Sequence, residues 1–108
     1  MSPLLKAFSA LSDETRLSIV EQLMKRGELP AGDLVEGSGI SAPAISRHLK
    51  VLRDAGLVRQ RAEGTKRLYS PCPDGLQLIA NWTISRREFW DTSLDRLEAA
   101  ILEEDTPS

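Results

Sequence analysis

The sequence predicts a mainly α chain with one small β-hairpin, an α+β arrangement in which two short helices joined by a tight turn are followed by the hairpin. Three observations carry this. The stretch Ile40 to Gly56, ISAPAISRHLKVLRDAG, places Ile45, Leu49 and Leu52 at i, i+4 and i+7 between a serine cap and a glycine stop. The preceding AGDLVEGSG is a short apolar helix closed by glycine. The following runs LVRQRA and KRLYS are rich in β-favouring residues, and Glu63, Gly64 and Thr65 between them form a short glycine-containing connection.

Taken in order, Ser2 and Pro3 start a first helix whose apolar stripe is Leu4, Leu5, Phe8 and Leu11. Ser12 offers the cap of a second helix, Asp13 and Glu14 suit its positive end, and Leu17, Ile19, Val20, Leu23 and Met24 form its core face. Lys25, Arg26 and Gly27 end it. Arg16 reads as a structural side chain or as one facing a phosphate. Glu28 and Leu29 can add a third strand beside the hairpin. The third helix carries Leu34 and Val35 and is closed by Gly39, with Gly37 interrupting it.

In the fourth helix Ser41 is the cap, Ile40 a staple and Pro43 a first-turn residue that lacks no needed donor. Val51 and Ala55 join the apolar face, while Ser46, Arg47, Lys50 and Arg53 point elsewhere. That opposite face has the chemistry of a helix laid in a DNA major groove, although a lone helix of this kind also serves as a solvated basic surface. The neighbours decide between the two: helix-turn-helix followed by a basic hairpin is a winged helix. His48, the one histidine, suits packing or a hydrogen bond near the phosphates. From Pro73 to about Glu104 the chain reads as one long helix or two with a bend, Asp74 lying in its first turn. Leu76, Ile79, Trp82, Trp90, Leu94, Leu97 and Ile101 recur at three-to-four spacing along it, with Phe89 beside Trp90. These aromatics cap the chain's own core or anchor a partner, and a chain this small has no second domain to cover the stripe. Asp105 to Ser108 read as a frayed end.

A chain of 108 residues suits one domain over 1–108, with 1–12 and 73–104 as dimerisation helices. A monomer of this size hides only ~60–70% of its unfolded surface, so pairing with a second copy would add to its core. The longest apolar run, Ala99 to Leu102, is far too short for a membrane span, and the amino terminus has no signal region. The single Cys72 forms no internal disulfide. A cytoplasmic protein is expected. The net charge of −2 hides an uneven distribution: Ile40 to Leu68 carries +5 and the remainder −7.

Catalysis is disfavoured. Ser46, His48 and Asp54 share one helix at spacings that do not face one another, and no phosphate-cradling glycine loop or paired carboxylates occur. With 5% aromatics and only Tyr69 in the basic region, single-stranded nucleic acid finds little to stack on.

The segments FSALSDETRLSIVEQL, GELPAGDLVEGSGISAPAISRHLKVLRDAGLV and RAEGTKRLYS resemble the ArsR-type family of small bacterial transcriptional repressors, over roughly Leu5 to Ser70. The resemblance implies dimerisation through the terminal helices. In metal-sensing relatives the segment matching ELPAGDL holds cysteines, where this sequence has Pro30 and Gly32, so no cofactor and no Cys/His metal site are expected; a carboxylate site between protomers stays open. The family often has a polar residue at Ala42 and a better helix former at Gly37. The combined expectation is a homodimeric repressor on an inverted repeat of double-stranded DNA, with no inducer indicated. Ser41, Ala42, Pro43, Ser46, Arg47, His48, Lys50, Arg53, Arg61, Lys66 and Arg67 are the expected DNA-binding residues. Leu4, Leu5, Phe8, Trp82, Phe89, Trp90, Leu94, Leu97 and Ile101 are expected at the dimer interface. The alternative is a winged-helix module that binds another protein and no specific DNA.

Overall fold

A computed structural model describes residues 1–104. The elements are α1 (Pro3–Leu11), α2 (Glu14–Arg26), β1 (Leu29–Pro30), α3 (Ala31–Val35), α4 (Ala42–Asp54), β2 (Val58–Glu63), β3 (Lys66–Pro71), α5 (Pro73–Ile84) and α6 (Arg87–Glu104). The strands form one antiparallel sheet in the order β1-β3-β2, with Leu29 opposite Tyr69 and Gln60 opposite Tyr69 on its other side. This is the winged helix that the sequence predicts, and its terminal stretch takes the two-helix form. The expected frayed end lies outside the described residues.

Local chemistry explains the boundaries. The Ser2 hydroxyl accepts the Leu5 N–H at 3.2 Å and starts α1. The second cap is Asp13, not Ser12. Ser12 closes α1, its N–H donating to Ser9 O, whereas Asp13 has the extended backbone that a cap needs and accepts the Arg16 N–H at 3.0 Å. Helix α3 ends at Val35, so Gly37 does not interrupt it. Gly37 and Gly39, with φ of 73° and 74°, instead form the turn into α4. The strand β1 begins at Leu29 and leaves Glu28 outside the sheet. Glu63 pairs with Lys66, which shortens the hairpin loop to Gly64 and Thr65.

The core gathers Ile19, Val20 and Leu23 of α2, Leu34 of α3, Ile45, Leu49 and Leu52 of α4, and Val58 and Tyr69 of the sheet. Three expected core residues lie outside it. Leu17 and Met24 of α2 and Val51 of α4 are 42%, 60% and 42% exposed. At roughly 100° per residue each of them sits between a quarter and somewhat over a third of a turn from the centre of its helix's buried face.

Helix α4 ends in a tight cap: the Gly56 N–H donates to Arg53 O, and the Leu57 N–H to Leu52 O at 2.9 Å. The start of α5 crosses this cap at close range, where the Gly75 N–H donates to Gly56 O at 2.8 Å. At the end of α5, hydroxyls of Thr83 and Ser85 donate back to Ile79 O and Trp82 O, and the chain breaks direction before α6. Helix α6 then leaves the body: the extents are 69 × 30 × 23 Å, and the radius of gyration, 19.0 Å, exceeds the ~13 Å of a compact chain of this length. Among the described residues no helix is long and apolar enough to cross a membrane.

The α4–α5 crossing is testable. A Cβ on Gly75 would lie 2.7 Å from Ala55 O and 2.9 Å from Leu57 Cδ2, so the backbone must move. Gly75→Ala should lower unfolding free energy by ~1–3 kcal/mol in denaturant titrations. Gly32→Ala, where nothing lies within 4 Å, should leave it unchanged or raise it slightly. Equal effects of the two substitutions would remove the crossing as a constraint.

Candidate nucleic-acid interface

Burial of Ile45, Leu49 and Leu52 turns the opposite side of α4 outward. At roughly 100° per residue, Pro43, Ser46, Arg47 and Lys50 fall on one outward face, and all four are exposed. Ser41 accepts the Ala44 N–H at 3.3 Å and leaves the first turn, with exposed Ala42 and Pro43, free of acidic side chains. Lys66 and Arg67, also exposed, stand at the start of β3 beside the hairpin loop. Arg47, Lys50, Lys66 and Arg67 enter no ion pair among the described residues.

The other expected contacts are engaged within the chain. His48 flanks the outward face on the α2 side, its Nδ1 3.4 Å from Arg16 Nη1 and 3.9 Å from Asp13 Oδ2. Arg16 itself is structural: its Nε donates to Ala10 O at 2.7 Å and its Nη2 to Ser9 O, which satisfies the last carbonyls of α1. Arg61 forms a two-pronged pair with Glu28 at 2.6 and 2.7 Å and a further contact with Glu63 at 3.1 Å. The hydrogen bonds from Arg61 hold the Glu28 carboxyl below the ordinary glutamate range, and Glu28 in turn holds the Arg61 proton more firmly than usual. Water screens this exposed pair, so its main effect is to occupy the guanidinium. Arg59 lies 4.0 Å from Asp74 of α5. Arg53, half-buried on the flank opposite His48, donates through Nη1 to Gln60 Oε1, and Gln60 Nε2 donates to Tyr69 OH at 2.9 Å.

Glu28, Gln60 and Asp13 were not expected at the site. For Gln60 a signal exists: strand alternation places it on the face of Val58, and a polar side chain turned inward requires a partner. Nothing local signals the Glu28–Arg61 pair, whose members are 33 residues apart.

Among the described residues no three His, Cys, Asp or Glu side chains gather as metal ligands. Pro30 precedes α3 and Gly32 lies in its first turn, and Cys72 is buried where the chain enters α5.

On the terminal helices, Trp82 packs edge-on against Phe8 of the same chain, with ring centroids 5.8 Å apart, and the Arg86 guanidinium lies 4.7 Å from the Trp82 ring centroid. Leu4 is half-buried, while Leu5, Phe8, Phe89, Trp90, Leu94, Leu97 and Ile101 are exposed.

Residues 13–60, from the α2 cap through α4 into the wing, match the model of the bacterial regulatory protein, arsR family. The chain is 42% identical over 89 residues to the HTH-type transcriptional regulator Rv2034 of Mycobacterium tuberculosis, covering 82% of this chain and 79% of that one. It is 38% identical over 78 residues to the transcriptional repressor SdpR of Bacillus subtilis, covering 72% and 86%. Among solved structures, an ArsR-like transcriptional regulator from Rhodococcus sp. RHA1 superposes with a TM-score of 0.73 at 31% identity, over 96% of this chain and 94% of that one. The homodimeric winged helix-turn-helix DNA-binding domain of a possible ArsR-family regulator from Mycobacterium bovis superposes at 0.63 with 26% identity, over 83% of each.

The α2 cap beneath His48 has a pH signature. The Arg16 backbone N–H, and then the charges of Arg16 and His48, hold the Asp13 carboxyl below the ordinary aspartate value. A carboxyl depressed in the folded state contributes stability that is full above the unfolded pKa of about 4 and lost as pH falls through the folded value. Asp13→Asn keeps a cap acceptor but does not titrate. The melting-temperature gap between wild type and this variant should therefore be constant near neutral pH and close below pH ~4. A gap that persists unchanged in acid would show that the carboxylate charge contributes nothing here.

Proposed function

This chain belongs to the arsR family of bacterial regulatory proteins, and on that premise we propose that it is a cytoplasmic transcriptional repressor that binds an inverted-repeat operator in double-stranded DNA as a homodimer. The observation that carries this reading is the outward face of α4, where Pro43, Ser46, Arg47 and Lys50 lie together opposite the buried stripe, next to a wing bearing Lys66 and Arg67. A helix of this kind fits the major groove. Arg47 can take a guanine edge with two hydrogen bonds, Ser46 can bond to a base, and Ala42 and Pro43 can meet a thymine methyl. Lys50, Lys66 and Arg67 serve phosphates, which position the protein and supply most of the affinity. In this reading His48 orients the helix from α2, and Glu28 competes with a phosphate for Arg61. No catalytic step belongs to this function.

The dimer is proposed on the apolar face that Phe89, Trp90, Leu94, Leu97 and Ile101 present on α6, together with Leu5 and Phe8 on α1. Among the described residues the α6 side chains of this face are exposed, while Phe8 also meets Trp82 of its own chain, and the similar Mycobacterium bovis domain is homodimeric. A two-fold axis presents the two α4 helices to half-sites about one helical turn, ~10–10.5 base pairs, apart or a multiple of it.

On the best operator Arg47→Ala should cost ~1–3 kcal/mol per half-site and flatten preference at one base pair. Lys66→Ala should weaken all sequences alike and lower the salt slope by about one unit for each phosphate that is no longer neutralised. Titrations on operator and scrambled DNA across a salt series check both. An unchanged specificity ratio for Arg47→Ala would move base reading to another residue, and a wild type that holds a protein partner but no DNA would favour the interaction-module alternative.

For the dimer, Trp90→Ala should remove ~2 kcal/mol or more of association free energy in sedimentation equilibrium. A wild type that stays monomeric at tens of micromolar, or a variant that dimerises as tightly as wild type, would overturn it.

A further inference from the structure

We propose that Arg53 is a positioning residue that sets the wing against the DNA-facing helix through Gln60, and is not a phosphate ligand; the proposal rests on the DNA-binding reading above. Arg53 is the third residue after Lys50 and lies on the flank of α4 that turns toward β2. Its guanidinium donates to Gln60 Oε1, and the Gln60 amide donates in turn to Tyr69 OH at 2.9 Å. Gln60 and Tyr69 are also cross-strand partners, and Tyr69 is buried against Leu29 of β1. A continuous polar chain therefore runs from α4 across β2 to the centre of the sheet.

The hairpin needs such a link. The strand β1 is two residues long and backs only Leu68 and Tyr69, so from Ala62 to Arg67 the wing is a two-stranded ribbon with no third strand. A free two-stranded hairpin is marginally stable in water, and its direction is set by whatever grips its base. Gln60 is that base residue on the inward face, and its amide is held at both ends. Among the described residues no carboxylate pairs with Arg53; its Nη1 is engaged by the Gln60 amide and its Nε is buried without a hydrogen-bond partner, so the guanidinium sits where α4 meets β2 and the Gln60 contact competes with any phosphate for it.

The decisive variant is Gln60→Leu, which removes the link without changing any charge. Binding to one fixed operator should weaken by about tenfold, within the range for directly coupled neighbours, with the salt slope of wild type. Adding Arg53→Ala to Gln60→Leu should cost no more than about twofold further, because both residues act through one connection. Amide exchange in the free protein should accelerate at 61–67 and stay unchanged in α2 and α4, and Gln60→Glu, which retains an acceptor for Arg53, should restore slow exchange. Gln60→Ala replaces Gln60→Leu if the leucine disturbs folding. If Arg53 is a phosphate ligand, Gln60→Leu will bind as well as wild type, and Arg53→Ala in that background will lower the salt slope by about 0.9 for each phosphate it leaves bare. That result, or exchange that accelerates throughout the molecule or nowhere, overturns the proposal. If wild type shows no salt-dependent DNA binding, the DNA reading fails, and the exchange measurements still decide whether Arg53 holds the wing.

Discussion

Because Ile45, Leu49 and Leu52 point into the core built by α2, α3 and the sheet, the rotation of α4 about its own axis is fixed, and with it the identity of every outward side chain. Burying three such side chains is worth roughly 1.5–3 kcal/mol each, whereas the polar contacts on the helix's flanks are worth ~0–1 kcal/mol apiece when exposed. The apolar stripe therefore dictates and the flanking groups adjust. A turn of one residue, about 100°, would carry the stripe out of the core and bring Lys50 or Arg47, according to its direction, toward it. The tight cap at Gly56 and the crossing by Gly75 then fix where the helix stops and where the wing and the terminal arm depart.

Basic residues sort into two groups on this scaffold. Arg53, Arg59 and Arg61 each meet a partner in their own chain, namely Gln60, Asp74 and Glu28. Among the described residues Arg47, Lys50, Lys66 and Arg67 enter no ion pair. Composition alone assigns all seven to one basic surface. The folded chain divides them into side chains engaged by partners within it and side chains that, among the described residues, are not. That division concentrates the available charge on two small areas, the middle of α4 and the base of the hairpin loop, within a protein of net charge −2.

What was legible in the sequence is what has a local period or a local stop. Ile45, Leu49 and Leu52 announce the buried face of α4, Ser41 and Gly56 its limits, and Gly64 the hairpin. Neighbouring positions compete less legibly: Ser12 and Asp13 are both good caps, and only the backbone after Leu11 decides between them. Similarly, Leu17, Met24 and Val51 have the right chemistry for a core but the wrong angle, and no count of apolar residues distinguishes the two. Least legible were Arg53 and Arg61, whose roles depend on which residues of other elements come within reach.

The projecting arm changes what folding means for this chain. Helix α6 has 18 residues and, among the described residues, an i, i+4 ion pair of Arg87 with Asp91 at 3.5 Å, and it projects from the body. Most helical stability in proteins comes from tertiary packing of an apolar face, because nucleation is costly and each further residue returns little. For a homodimer, ordering of the arm and meeting of two copies then become a single equilibrium governed by mass action. In such a homodimer helix content becomes a function of protein concentration, and the amount of protein sets how much of each molecule is folded.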